Sequence, residues 1–229
     1  MSILVVDNSI QATILHQGEC VARILRKVGC AFQVVSGIYD RPQLDPRRYS
    51  GIIITGSEAS INEDAAWITQ QQRMIELACR HTVPLLGICF GHQLIARTLL
   101  GEKSVGAAPR PELGWLPIEV LAAVGPLCGI QGGPVTMLSH FDQVIDPGDQ
   151  FEVLARSTHC AVHAMRHREL PLWGLQFHPE IMRLEGLKLL AMIKLFYPRQ
   201  RVEPRLVRRA DCSLGEKIMR NFLALREAA

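Results

Sequence analysis

Two short stretches of this 229-residue chain carry residue types that can make and break covalent bonds. In Gly87-Ile-Cys-Phe-Gly91 a cysteine stands between two glycines, after the apolar run Val83-Pro-Leu-Leu-Gly-Ile88 and at the head of a helical pattern over 90–99. This is a G-x-C-x-G elbow, the thiol counterpart of the G-x-S-x-G turn that holds a nucleophile in strained backbone geometry above a sheet. Aligned peptide dipoles at a helix N-terminus stabilise a thiolate, so Cys89 reads as a nucleophile, with the N–H of Phe90 placed to form half of an oxyanion hole. Taken by itself, the same cysteine is equally a small buried apolar residue. In Trp173-Gly-Leu-Gln-Phe-His-Pro-Glu180 an apolar strand runs into His178, Pro179 ends it and Glu180 follows. A histidine at a strand end can take the proton of a distant cysteine, and a nearby carboxylate can hold its imidazole in the required tautomer. Nucleophile, base and orienter are then Cys89, His178 and Glu180.

The elements that position these residues follow from hydrophobic spacing. Apolar runs at 3–6, 31–35, 51–55 and 85–88 read as buried strands, and helical spacing over 11–28, 68–81 and 90–99 reads as the helices between them. Strands that alternate with helices predict a parallel sheet whose ligands sit beyond the strand carboxyl ends, where Asp7-Asn8, Gly56-Ser57 and Cys89 all fall. From 101 to 134 glycine and proline multiply around short β segments at 115–121 and 135–138, which predicts an antiparallel or mixed insertion. Further strands are expected at 151–155, 161–165 and 172–177, and helices at 184–196 and 214–225. The reading is one α/β domain over 1–229, with a catalytic core at 1–183 and a helical C-terminal extension at 184–229.

Composition narrows the class. A net charge of +3, from 25 basic and 22 acidic residues, does not suggest a nucleic-acid protein, and no apolar run reaches transmembrane length. The start, Met1-Ser-Ile-Leu-Val-Val6, reads as a first strand and not as a signal peptide, so a cytoplasmic location is expected. Seven cysteines without short paired spacing suit reduced thiols. His159, His163 and His167 are evenly spaced, but a β pattern and the absence of a supporting carboxylate argue against a metal, and no cofactor is expected. His92 is read as structural, and Trp67, Trp115 and Trp173 as packing residues. Between Pro198 and Arg209 lie five arginines and one glutamate, read as a solvated connector, the alternative being a docking surface for an acidic partner or nucleotide.

Gly87-Ile-Cys-Phe-Gly-His-Gln93 together with Gly174-Leu-Gln-Phe-His-Pro-Glu180 resembles the class I (triad) glutamine amidotransferases, over residues 3 to about 180. The resemblance implies an open, mostly parallel, flavodoxin-like central sheet flanked by helices, and Cys89, His178 and Glu180 as the triad. The cysteine of that family attacks the side-chain amide of glutamine, releases ammonia and leaves a γ-glutamyl thioester that water hydrolyses. Ile54-Thr-Gly-Ser-Glu-Ala-Ser60 resembles the family's oxyanion loop in its GMP-synthetase form, which assigns the second oxyanion N–H, beside that of Phe90, to Ser57 and places Gly56 at the substrate. Ser139-His-Phe-Asp142 resembles the stretch that holds the glutamyl end, Phe141 through its backbone and Asp142 toward the α-ammonium; Gln93, one turn after Cys89, is implied as a further substrate contact.

Three readings of function follow. In the favoured one the chain is a glutaminase that supplies ammonia to a separate synthetase, because no G-x-x-x-x-G-K-[ST] phosphate loop is present and the acceptor site must lie on another polypeptide. In the second it is a stand-alone γ-glutamyl hydrolase or peptidase with the same triad. In the third it is a non-catalytic binding module on the same fold.

Overall fold

The structure, a computed structural model, describes residues 2–10, 15–39, 45–211 and 213–225. The first half alternates strand and helix: β1 (Ile3–Asp7), α1 (Gln17–Lys27), β2 (Phe32–Ser36), β3 (Gly51–Ile54), α2 (Ala66–Arg80), β4 (Leu85–Ile88) and α3 (Phe90–Leu100). The second half is mainly β: β5 (Val105–Pro117), β6 (Glu119–Val120), β7 (Val135–Val144), β8 (Phe151–Arg156), β9 (Ala164–His167) and β10 (Leu172–Leu175), followed by α4 (Arg183–Phe196) and α5 (Leu214–Leu225). The main sheet runs β2-β1-β3-β4-β10-β9-β8-β6. Its first five strands pair in parallel and its last three antiparallel. The parallel part has the flavodoxin-like order, so its ligand crevice lies beyond the carboxyl ends of β1, β3 and β4.

Successive side chains of a strand point to opposite faces, so strands buried on both faces must be apolar throughout. In β1, Ile3 and Val5 pack with α1 and α5, while Leu4 and Val6 pack with α2 and α3. β3 and β4 divide the same way, with Ile53, Leu86 and Ile88 on the first face and Ile52, Ile54 and Leu85 on the second. β5 and β7 form a separate antiparallel ribbon. A third apolar cluster, including Trp115, Met137, Leu190 and Ile193, joins that ribbon to α4.

The sequence reading places the strands and helices of the parallel half within a few residues; the part of the first helix expected at 11–14 lies outside the described residues, as does Cys212. Two expectations are corrected. The insertion is a long ribbon and not a set of short segments, because Ala107-Ala-Pro-Arg-Pro-Glu112 reads as loop but is accommodated where the register shifts between Ala107 and Glu112. The Arg-rich connector is also more than a solvated linker. Glu203 exchanges backbone hydrogen bonds with β5, donating to Leu113 O (2.8 Å) and accepting from Trp115 N (3.0 Å), and Val202, Leu206 and Val207 pack on the third cluster. Gly114, at φ +133°, permits that pairing, since a Cβ there would collide with the Glu203 carbonyl.

Among the described residues no disulfide forms and no helix is long and apolar enough to cross a membrane. The last helix is part of the main core: Phe222 of α5 is 1% exposed and meets the Trp173 ring edge-on at 6.1 Å. Phe222→Ala is therefore expected to cost about 3–5 kcal/mol. Urea unfolding measures this, and a loss near zero would show α5 to be peripheral.

Candidate active site

Cys89 occupies the junction of β4 and α3 with φ 51° and ψ −102°; among the described non-glycine residues only Thr82 shares a positive φ. This strained geometry is held by hydrogen bonds on both sides, from Cys89 N to Leu175 O (2.7 Å) and from Gly91 N to Thr55 O (3.2 Å). The flanking glycines are there for close approach. A Cβ on Gly87 would collide with the backbone of Gly91 and His92, and a Cβ on Gly91 with the Ile54 carbonyl. His92 points into the protein, where its Nε2 meets the Val162 carbonyl at 3.2 Å, and burial lowers its pKa to about 3, so it is a packed neutral ring.

β10 lies beside β4 in parallel register, which carries the chain past Leu175 to His178 on the same side of the sheet as Cys89. His178 N donates to Met137 O at 2.8 Å, so the ribbon fixes the residue, and its Nδ1 donates to Glu180 Oε1 at 2.8 Å. Glu180 is itself held by Arg23, whose Nη2 donates to its carbonyl oxygen at 2.9 Å. The second ring nitrogen of His178, Nε2, is buried and makes no hydrogen bond of regular geometry to a described residue, and the group it interacts with is the Cys89 thiol. Burial disfavours the imidazolium, but the negative charges of a Cys89 thiolate and of Glu180 outweigh it and raise the His178 pKa well above the usual histidine range. The structure thus brings Cys89, His178 and Glu180 together in one buried group.

Gly56 lies against His178, where a Cβ would stand 3.0 Å from the ring carbon Cε1. The Thr55 hydroxyl donates to the Gly56 carbonyl at 3.0 Å, and in a trans peptide this turns the Ser57 N–H to the opposite side. Neither the Ser57 nor the Phe90 N–H donates to an acceptor among the described residues. The far wall is built from β7. Ser139 O faces the Cys89 thiol at 3.7 Å, and Gln93 Nε2 donates to Asp142 O at 2.7 Å. The Asp142 carboxylate accepts from Ser60 Oγ (2.6 Å) and Ile61 N (3.2 Å), tying the wall to the loop after β3, while Phe141 is exposed with its ring 5.4 Å from that of Tyr197.

Sequence reasoning missed Gln176. It is fully buried, its Nε2 meets Cys89 Sγ at 3.6 Å and its Oε1 accepts from Gln93 Nε2 at 3.1 Å. The only signal was a polar residue inside an apolar strand pattern, two residues before His178. Of the three spaced histidines, His159 is exposed and His167 accepts from the backbone of Glu169 and Leu170, whereas His163 is buried against Glu112, a supporting carboxylate that the sequence reading took to be absent because Glu112 is 51 residues away.

A parallel sheet of flavodoxin order with a cysteine elbow at a central strand end and a buried histidine–carboxylate pair just beyond the next strand defines a class of enzymes with a cysteine nucleophile. The model of the family glutamine amidotransferase class-I matches residues 4–193, and the chain belongs to that family. One subunit of the glutamine-hydrolyzing GMP synthase of Methanopyrus kandleri is 37% identical over 183 residues, covering 78% of this chain and 89% of the relative. The subunit of the same name from Pyrococcus abyssi is 33% identical over 183 residues, covering 80% and 91%. The crystal structure of a glutamine amidotransferase from Thermotoga maritima superposes with a TM-score of 0.81 at 20% identity over 100% of this chain and 99% of that one, which establishes the likeness of fold.

The raised proton affinity of His178 depends on the sulfur charge beside it. In Cys89→Ala that charge is gone, burial is opposed by Glu180 alone, and His178 is expected to lose its proton at lower pH than in the unmodified protein. An NMR pH titration of the ring resonances checks this; an unmoved midpoint would mean that the two side chains are not coupled.

Proposed function

We propose that this chain is a glutaminase that hydrolyses the side-chain amide of L-glutamine and supplies the ammonia to a separate synthetase. The observation that carries the reading is the buried Cys89–His178–Glu180 group, with the cysteine backbone held in the left-handed region at a strand–helix junction. His178 Nε2 takes the thiol proton, Nδ1–H stays on Glu180, and Cys89 Sγ attacks the amide carbon. The oxyanion that forms is stabilised by the Ser57 and Phe90 N–H groups. Collapse breaks the C–N bond, and the proton from His178 leaves with ammonia. Water, deprotonated by the same ring, then cleaves the γ-glutamyl thioester to glutamate and regenerates the thiol.

The remaining assignments are part of the same proposal. Gly56 leaves room for the substrate beside the His178 ring, and the Phe141 backbone and Asp142 receive the glutamyl end. Gln93 has both amide hydrogens engaged, on Asp142 O and Gln176 Oε1, so it braces the wall and offers substrate its Oε1. Residues 1–229 work as one domain, since α5 packs in the core that carries β4. A synthetase partner is supported by the Methanopyrus kandleri and Pyrococcus abyssi relatives, both named as one subunit of a glutamine-hydrolyzing synthase.

Cys89→Ala and His178→Ala are each expected to lower glutamine turnover by about 10⁴-fold or more, and Glu180→Ala by less, because it acts only through the base. Ammonia release by the purified chain, with circular dichroism as a control of fold, checks this; turnover persisting in Cys89→Ala would overturn the assignment. Slow hydrolysis of glutamine alone, accelerated by a synthetase, supports ammonia transfer, whereas rapid hydrolysis of a γ-glutamyl peptide without a partner would make the chain a stand-alone hydrolase.

A further inference from the structure

Beside β7 lies a second buried group that the proposed reaction does not use. Glu112 of β5, His140 of β7, and Cys160 and His163 of the segment leading into β9 are all buried, and one donor atom from each lies within 4.8 Å of every other. Glu112 Oε2 accepts from His163 Nε2 at 2.8 Å and from His140 Nε2 at 3.2 Å, and Glu112 Oε1 accepts from Ser157 Oγ at 2.8 Å. No sequence motif announces this set, because its members are brought together by the ribbon and by a loop after β8 and not by short spacing.

We propose that Glu112, His140, Cys160 and His163 form a tetrahedral site for a divalent zinc ion. One thiolate, two imidazoles and one carboxylate are the ligand types that zinc takes, and four protein ligands without an open position are the mark of a structural site. Metal–ligand bonds of about 2.0–2.3 Å place tetrahedral donors about 3.3–3.8 Å apart. The His163–Glu112 and His140–Glu112 separations of 2.8 and 3.2 Å need to open by only a few tenths of an ångström to admit the ion. On binding, zinc takes the Nε2 lone pairs of the two neutral rings, each of which then carries its proton on Nδ1, and the Cys160 thiol proton passes to solvent, so that a thiolate and a carboxylate neutralise the 2+ charge. Part of the outer shell is already in place: in the tautomer that leaves Nε2 for the metal His140 Nδ1 donates to Asp142 O at 3.1 Å, and Ser157 Oγ holds the outer oxygen of Glu112, while His163 Nδ1 has no partner among the described residues.

The position gives the ion a task. It would cross-link β5, β7 and the segment before β9 behind residues 139–142, whose carbonyls face the Cys89 thiol and accept from Gln93. The wall of the candidate active site would then be fixed from behind by a metal.

The test is made on the full chain carrying Cys89→Ala, so that the thiol of the other cysteine–histidine group cannot bind. Elemental analysis after purification without chelator is expected to give one zinc per chain. Metal-free protein titrated with cobalt(II) is expected to show one equivalent of tetrahedral cobalt with an intense thiolate-to-cobalt absorption. Adding Cys160→Ser should abolish that absorption, and adding His163→Ala should weaken binding by about 100-fold or more. Failure of the folded Cys89→Ala protein to take up either metal would overturn the proposal and leave a metal-free hydrogen-bonded group around Glu112. A thiolate absorption that persists in a folded Cys160→Ser protein would overturn it as well. Glutaminase activity enters neither readout, so the outcome is independent of the proposed reaction.

Discussion

The structure depends on how closely α3 can be pressed onto the end of β4. Three positions without side chains meet there: Gly87 against the backbone of Gly91, Gly91 against the Ile54 carbonyl, and Gly174 of β10 against the His92 ring. Any Cβ would push the helix off the sheet. With the helix held down, the residue between strand and helix has to reverse the chain in a single step, and it does so at a positive φ that costs a non-glycine residue about 1–3 kcal/mol. That local cost is sustained because the surrounding strands, apolar on both faces, over-determine the position of Cys89.

Much of the remaining architecture follows from serving that junction. Because β10 must lie beside β4 to accept the Cys89 N–H on Leu175 O, its continuation delivers His178 to the same end of the sheet. The ribbon then supplies Met137 O to hold His178 and Ser139 O to face the thiol, and α1 supplies Arg23 to hold the Glu180 carbonyl. Helix α5, far from the elbow in sequence, covers the face of the sheet that α1 leaves open, so the last stretch of the described chain belongs to the core that the elbow stands on.

What was legible in the sequence is what local patterning encodes. Fully apolar runs gave β1, β3 and β4, helical spacing gave α2, α3 and α5, and the glycines around Cys89 gave the turn. The cysteine and the His-Pro-Glu stretch can be paired from the sequence alone, because each sits where a strand pattern breaks. The ribbon and the 197–213 segment were illegible for a physical reason: a two-stranded ribbon with a register shift tolerates proline and charge, and pairing through Glu203 is a non-local backbone event with no side-chain signature. Gln176 was hidden by its apolar neighbours, and the Glu112 group by the distance between its members along the chain.

The molecule contains two buried carboxylate–histidine groups, Glu180 with His178 and Glu112 with His140 and His163, and their difference shows why residue type alone does not define a catalytic base. In both, a ring nitrogen donates to a glutamate, Nδ1 of His178 to Glu180 and Nε2 of His140 to Glu112. From His163, whose Nδ1 is likewise buried without a partner among the described residues, His178 differs in its pKa, which burial lowers at His163 and which, against burial, Cys89 and Glu180 raise at His178; from His140 it differs in the other nitrogen. That of His140 also faces an acceptor, the Asp142 carbonyl, so both of its nitrogens are directed at oxygen atoms of the protein. That of His178 makes no hydrogen bond of regular geometry to a described residue, and its proton affinity is raised by the cysteine beside it. A buried, unsatisfied nitrogen carries an energetic cost in a folded protein. At His178 that cost falls on the ring that exchanges a proton in the proposed reaction.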